Sequence, residues 1–143
     1  MTIGKRSKAQ VEKSRPIVYK RDRRECVVSG TFEAVRWPCA GGLTVQHRRG
    51  KGMGGSALGD DPEGLVAMCQ FHNVLQTADH EFALTCTKFG WSVPRWAADQ
   101  YKLSQIPVFY ADGWFLLSGS SRFSIPESTA QAVMVEVYGE LFV

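Results

Sequence analysis

The sequence predicts an α+β domain built around a ββα finger, with a basic N-terminal arm and a C-terminal β-hairpin extension. Two short strand-like runs, 43–47 and 65–69, are joined by a glycine-rich loop and followed by a helical pattern from Phe71. A second pair of strand-like runs flanks Asp112-Gly113, and the chain begins with a strongly basic stretch. At 143 residues with 44% hydrophobic side chains, the chain suits one packed core. We divide it into an arm (1–24), a finger (25–90) and an extension (91–143) packed on the same domain.

The arm is the most highly charged part of the chain. It holds nine Lys or Arg residues and two acids, a net charge of +7, whereas the rest carries −4. Such a segment favours contact with nucleic-acid phosphates through Arg21, Arg23 and Arg24, although a solvated tail is the alternative. Its only helical signal is a short one between Ser7 and Lys13. It lacks the apolar stretch of a secretory signal, and no run reaches the ~18 residues of a spanning helix, so we expect a cytoplasmic protein.

Two segments after the arm are predicted to pair as an antiparallel hairpin. Residues 43–47 alternate apolar and polar side chains, so Leu43, Val45 and His47 share one face of a strand. Residues 65–69 form a second apolar strand. The connecting loop, 48–64, carries four glycines in the part up to Gly55, and a loop of this length is more often functional than idle.

From Phe71 the hydrophobic period becomes helical. One stripe is expected to face the core: Phe71, Val74, Leu75, Ala78, Phe82, Cys86 and Phe89. Gly90 suits the end of this helix. His72 and Gln76 lie off the stripe one turn apart, so their side chains can point at the same place.

The extension combines a hairpin with a final segment that fits two structures. Asp112-Gly113 between two β-prone runs is a strong hairpin signal. The last segment has apolar residues at helical spacing after Pro126, which suits a helix start, but Val133, Val135 and Val137 also alternate as in a strand. We favour the helix.

Cysteine and histidine are the residues most able to carry chemistry. The four cysteines are at 26, 39, 69 and 86 and the three histidines at 47, 72 and 80. Without an export signal disulfides are not expected, and no Cys-x-x-Cys pair marks a zinc site. A histidine that ends a strand beside a basic glycine-rich loop suits the general base of phosphodiester hydrolysis, in which a metal ion holds the phosphate oxygens.

Several motifs occur in the order of a known nuclease family. They are His47-Arg48-Arg49, Gly52-Met53-Gly54-Gly55-Ser56, Leu65-Val66-Ala67-Met68-Cys69, His72, Gly90-Trp91-Ser92-Val93 and Pro107-Val108. This order resembles the HNH endonucleases with a ββα-metal finger, in the compact form widespread in actinobacterial phage genomes. The resemblance covers roughly residues 24–118, and its most specific part is the Gly-Met-Gly-Gly-Ser block after His-Arg-Arg.

The resemblance implies a catalytic site and a structural site. His47 matches the general base, and His72 matches the last histidine of the motif, a ligand of a catalytic Mg²⁺ or Mn²⁺ ion. Gln46 stands where many of these nucleases place a second ligand of that ion. Cys26 and Cys69 match the first members of the two cysteine pairs of a structural zinc knuckle. The loop expected to face DNA contributes Arg48, Arg49 and Lys51.

The sequence also departs from the family pattern. The middle Asn of the motif falls on Gly64, Ser29 replaces one knuckle cysteine, and Phe71 precedes His72 where another is expected. Alternatively His72 replaces that cysteine, Asn73 becomes the terminal motif residue, and a zinc site forms from Cys26, Cys69, His72 and Cys39.

Two functions follow from the resemblance. The first is a phage-type HNH endonuclease that hydrolyses DNA with a divalent metal. The second is a protein of the same fold that has no nuclease activity and binds nucleic acid or a host or phage protein. DNA is the expected partner of the first, and the host cytoplasm is the expected location if a phage encodes the chain.

Overall fold

The computed structural model describes residues 3–50 and 61–139, which form a mixed α+β fold with six α-helices and two small antiparallel sheets. The helices are α1 (Ile3–Arg21), α2 (Glu33–Arg36), α3 (Gln70–Ala78), α4 (His80–Lys88), α5 (Arg95–Gln100) and α6 (Glu127–Tyr138). The strands are β1 (Leu43–His47), β2 (Leu65–Cys69), β3 (Val108–Tyr110), β4 (Gly113–Ser118) and β5 (Ser121–Ile125). None of the described helices is long and apolar enough to cross a membrane.

The first sheet confirms the predicted hairpin. Strands β1 and β2 pair antiparallel, with Leu43 opposite Cys69 at one end and His47 opposite Leu65 at the other. Every residue of β2 is buried, and α3 begins directly after its last residue. The strand–strand–helix order expected from the sequence is therefore present. The two ends of the hairpin lie in different surroundings.

The predicted single helix after Phe71 is two helices. It breaks at Asp79, whose backbone is extended and whose carboxylate accepts a hydrogen bond from the Phe82 amide at 2.9 Å to start α4. The expected apolar stripe is wrong for α3, because Phe71 and Val74 are 38% and 60% exposed while His72 is fully buried. The periodicity failed here because α3 packs on β1 through polar side chains rather than through its apolar residues.

The N-terminal segment is a packed helix rather than an arm. Helix α1 runs far beyond the predicted stretch Ser7–Lys13 and buries Val11, Ser14 and Val18 at helical spacing. Val18 joins Leu65 and Ala67 of β2 in a small hydrophobic cluster. The C-terminal part of α1 is consequently packed against the hairpin.

The C-terminal half adds the second sheet and a closing helix. The hairpin at Asp112-Gly113 is confirmed as β3–β4, and the favoured helix is confirmed as α6, with Pro126 directly before it. The sequence did not reveal β5, which pairs with β4 and has mostly exposed side chains. The main core joins residues from both sides of position 90, among them Met68, Phe82, Trp91 and Leu117.

Candidate metal centre

Four side chains with metal-binding atoms meet where β2 passes into α3. The sulfur atoms of Cys26, Cys39 and Cys69 and a ring nitrogen of His72 all lie within 4.8 Å of one another. Among the residues that the structure describes, they are the group of His, Cys, Asp and Glu side chains that could hold a metal ion. Three of the four residues are buried and Cys39 is exposed.

The start of α3 brings two of these ligands together. Cys69 is the last residue of β2 and caps α3, its sulfur accepting a hydrogen bond from the His72 amide at 3.5 Å. Because His72 follows one turn later, its ring turns back toward the cap, and Nδ1 lies 3.2 Å from the Cys69 sulfur. A Cys-x-x-His spacing at a helix start thus places both donors on the same side.

The other two cysteines arrive from separate loops that the backbone fixes to the hairpin. Cys26 lies after α1, where the Val27 amide donates to the Ala67 carbonyl of β2 at 2.8 Å. Cys39 lies between α2 and β1, and the following segment is tied to α3 by the hydrogen bond from the Gln70 amide to the Gly42 carbonyl, also 2.8 Å. The His72 Nδ1 atom is 3.5 Å from the Cys26 sulfur and 3.8 Å from that of Cys39.

Hydrogen bonding leaves Nδ1 of His72 facing the three sulfur atoms. Nε2 lies 2.6 Å from the Trp37 carbonyl oxygen, a group that can only accept, so Nε2 carries the proton and Nδ1 carries a lone pair. A histidine oriented in this way by a carbonyl is the usual arrangement at metal sites. Burial lowers the pKa of His72, which keeps the ring neutral, although the hydrogen bond to Trp37 opposes that shift.

The surroundings of the cluster are apolar and aromatic. The His72 ring stacks on Phe82 with 5.2 Å between centroids, and Trp37 packs edge-on against the same phenyl ring at 5.0 Å. Burial raises the pKa of the Cys26 and Cys39 thiols, so in the absence of a cation these groups hold their protons. A bound cation reverses this preference because it stabilises the thiolate form.

The position of His72 corrects the role expected for it. Both of its ring nitrogens face the cluster or Trp37, which leaves neither for a catalytic ion beside His47. The register also separates the two sites, since His47 pairs with Leu65, four residues from Cys69, or about 14 Å along a strand at ~3.4 Å per residue. The two histidines therefore do not form one site, and His72 belongs with the cysteines, as in the alternative interpretation.

A row of side-chain amides connects α3 to β1 instead. Asn73 donates to the Thr44 hydroxyl at 2.8 Å, and its own oxygen accepts from Gln76 at 3.1 Å. Gln76 and Gln46 pair reciprocally: the Gln46 amide donates to the Gln76 oxygen at 2.7 Å, and the Gln76 amide donates back to Gln46. Gln46, expected to bind a metal ion, is buried with both ends of its amide bonded to Gln76.

The candidate general base lies at the far end of the hairpin. His47 is half-buried at the end of β1, and Gly64 lies beside that end in a short turn before β2, where its carbonyl accepts from the Arg48 amide at 2.8 Å. The role of His47 stays a prediction. Lys51 and the Gly-Met-Gly-Gly-Ser block lie outside the described residues, so the loop expected to face DNA is described only at its two ends.

Arg48 has a structural position rather than the expected one in a DNA-facing loop. It is 0% exposed, and its guanidinium donates to four backbone carbonyls, at 2.7–2.9 Å. These carbonyls belong to Glu63, Gly90, Leu103 and Ile106. Burial lowers the pKa of Arg48 to about 10, so the group remains charged at neutral pH. The prediction of a DNA contact is wrong because the side chain is buried and bonded to backbone carbonyls of the protein instead.

Arg21 and Arg49 also differ from the expectation. Arg21 is buried and donates to the Asp22 carboxylate and to the Pro62 and Leu65 carbonyls, while Asp22 also accepts from the Tyr110 hydroxyl. The Arg49 side chain is 9% exposed and paired with Asp99 at 2.9 Å. Neither guanidinium is presented to a nucleic acid. Of the remaining candidates, Arg23 and Arg24 are exposed, as expected.

Sequence reasoning underestimated Cys39 and missed Trp37. Cys39 follows Cys26 by 13 positions and matches no short ligand spacing, so only the fold shows that it belongs to the cluster. No feature of the sequence indicates that the carbonyl of Trp37 orients His72. No protein-family model matches this chain, and no curated protein or solved structure is significantly similar to it.

Proposed function

We propose that this protein is a nucleic-acid-binding protein whose HNH-like finger is held together by a structural zinc ion. The observation that carries the proposal is the group of three cysteines and one histidine at the start of α3. Thiolate and imidazole donors favour zinc over Mg²⁺ or Mn²⁺, which prefer oxygen ligands. Four protein ligands also leave no open position for a substrate, which is typical of structural sites rather than catalytic ones.

The spacing of the donor atoms supports this choice of metal. Tetrahedral zinc has Zn–S distances of about 2.3 Å and Zn–N distances of about 2.0 Å, which requires S···N separations of about 3.5 Å. The three S···N separations here are 3.2, 3.5 and 3.8 Å. The ion would join the segments after α1, before β1 and at the start of α3, and so fix helix and hairpin to each other.

Nucleic acid is the partner that the exposed charge favours. Arg21, Arg48 and Arg49 are buried or ion-paired, so they are excluded as phosphate contacts. The surface of α1 and the turn after it still presents four cationic side chains: Lys13, Lys20, Arg23 and Arg24. Cationic side chains along one helix and the turn that follows it suit contact with successive backbone phosphates. This binding requires no second metal ion.

Endonuclease activity is the second candidate, and the position of Asn73 favours it. Asn73 would be the terminal residue of the nuclease motif, and it faces β1. Its side chain is linked through Gln76 to Gln46, which directly precedes His47. Their amide oxygens would hold a Mg²⁺ or Mn²⁺ ion, which would stabilise charge on the phosphate. His47 would take the proton of the attacking water. All three oxygen donors are neutral amides, which are weaker ligands for these ions than carboxylates.

One experiment separates the two candidates. Purified full-length protein is incubated with supercoiled plasmid and Mg²⁺ or Mn²⁺, and the same preparation is tested for binding to a 20-base-pair duplex. We expect binding without nicking, and His47→Ala leaves the affinity unchanged. Nicking that His47→Ala abolishes, while binding persists, would establish the nuclease and overturn the proposal of binding alone. Absence of both binding and nicking would exclude both candidates.

A further inference from the structure

A basic groove lies where the C-terminal end of α1 meets the second sheet. Its volume is about 730 Å³, and four of its seven lining residues are cationic: Lys20, Arg21, Arg23 and Arg122. The other three are uncharged, so no carboxylate lines the groove among the described residues. The groove is formed by elements outside the β1–β2–α3 unit, and none of the four side chains of the metal centre lines it.

Arg122 is rigidly held in this groove. Its side chain is 10% exposed, and its guanidinium carbon lies 4.4 Å from the ring centroids of both Tyr110 and Phe115. Packing on the two aromatic rings already restricts the conformations of this side chain in the folded protein. Its guanidinium therefore loses little further conformational entropy when it binds an anion. This residue could not be identified from the sequence, since β5 was not predicted.

The positive charge of the groove exceeds its local counter-charge. Arg21 is neutralised by Asp22, with which it makes a buried ion pair at 2.8 Å. Arg23 and Arg122 share a single carboxylate, Asp112, at 3.6 and 3.5 Å. Lys20 makes no ion pair with any described residue. Two positive charges therefore remain without a partner, and an anion could satisfy them without displacing a buried group.

The backbone at this point supports a role for the side chains. Arg23 and Arg24 follow α1 with φ values of 59° and 56°, in the left-handed region that glycine adopts most easily. The side chain of arginine is sterically disfavoured in this region, whereas glycine has no such restriction. These residues end α1, where the Arg24 amide donates to the Tyr19 carbonyl at 2.7 Å, and the turn places the Arg23 side chain at the groove.

We propose that this groove seats the phosphate backbone of a nucleic acid, with Lys20, Arg23 and Arg122 as its contacts. The inference rests on the proposed nucleic-acid binding and gives it a location. Phosphate oxygens accept hydrogen bonds from guanidinium forks in a fixed geometry, which suits a held arginine beside two exposed cationic side chains. Contacts of this kind are independent of base sequence and fix the register of the protein on the duplex.

The test compares two variants that lose the same charge. Lys20→Gln/Arg23→Gly removes two groove cations and relieves the strained backbone at Arg23, while Arg36→Gln/Lys102→Gln removes two exposed cations elsewhere. Binding of each full-length protein to a mixed-sequence 20-base-pair DNA duplex is measured by fluorescence anisotropy between about 50 and 200 mM salt. Thermal unfolding of each variant is recorded to show that it is folded.

The groove variant is expected to bind about tenfold more weakly at ~0.1 M salt, and its slope of log K against log salt should be shallower by about 2. The control variant should keep most of the affinity. Equal losses in the two variants, or an unchanged slope in the groove variant, would overturn the groove while leaving nucleic-acid binding intact. Failure of the unaltered protein to bind would instead overturn the proposed function, on which the groove depends.

Discussion

The two ends of the β1–β2 hairpin use different chemistry. At the end where Leu43 pairs with Cys69, sulfur and imidazole atoms converge and a carbonyl orients the histidine. At the end where His47 pairs with Leu65, a buried arginine bonds to four carbonyls and the adjoining helix face carries paired amides. The first end can hold a soft metal ion, and the second end closes by hydrogen bonds within the protein.

This difference shows how polar and metal-binding groups fix the two ends of a strand pair whose middle is packed in the apolar core. Separate loops are joined at one end by ligands that a cation would bridge, and at the other end by the guanidinium of Arg48. A hydrogen bond to a charged group contributes more than one between neutral groups.

Removal of metal should unfold the first end. We expect a strong chelator to abolish the cooperative thermal transition seen by circular dichroism, because binding of structural zinc supplies ~10–16 kcal/mol in finger peptides. Addition of Zn²⁺ in excess should restore the transition. A thermal transition that the chelator leaves unchanged would show that the cluster does not depend on metal.

Arg48→Met should be the most damaging single change at the second end. It removes a charged donor from four backbone carbonyls, two of them in buried hydrogen bonds, and we expect a loss of about 3–5 kcal/mol in the free energy of unfolding measured in urea. Arg36→Met is the matched control, since Arg36 is exposed and paired with Glu81, and its loss should change the stability far less. Equal effects of the two substitutions would contradict the structural role of Arg48.

The amide pair offers a test of intermediate size. Gln76→Leu leaves the buried amide of Gln46 without its partner and should cost about 1–2 kcal/mol, measured by urea denaturation. The double variant Gln46→Leu/Gln76→Leu should recover most of that loss, because both polar groups are then replaced by apolar ones. If instead Mg²⁺ stabilises the unaltered protein and fails to stabilise the double variant, the amides form a cation site and the nuclease candidate gains support.

The smallest predicted effect concerns the turn after α1. Arg23→Gly relieves a left-handed φ of 59° and should raise the free energy of unfolding by up to about 1 kcal/mol. The comparison variant is Arg36→Gly. Arg36 belongs to helix α2, where glycine is unfavourable, so this substitution should lower the free energy of unfolding. A clear loss of stability from Arg23→Gly would mean that its side chain supports the fold, contrary to the role proposed for the groove.

Local patterns predicted much of the fold. Alternation identified β1, the apolar run identified β2, and Asp112-Gly113 identified the β3–β4 hairpin, since each signal spans only a few neighbouring residues. Periodicity misjudged α3, because the buried face of that helix is set by its polar contacts with β1 and by His72 in the cluster. It also missed β5, whose exposed side chains give no alternation.

The sites depended more on contacts between distant residues. Cys69 and His72 form a short motif, but Cys26 and Cys39 reach them only through the fold. Basic residues after His47 suggested a surface loop, yet Arg48 is buried because carbonyls from positions 63, 90, 103 and 106 converge on it. No pattern along the chain records such a convergence.

The most direct test of the proposed zinc centre is the metal content of the purified full-length protein. One zinc ion per chain is expected by elemental analysis, retained in Cys86→Ala and lost or greatly reduced in Cys39→Ala. Cys86 is the matched control, because it is a buried cysteine outside the cluster. A chain without zinc, or equal zinc content in the two variants, would contradict the account.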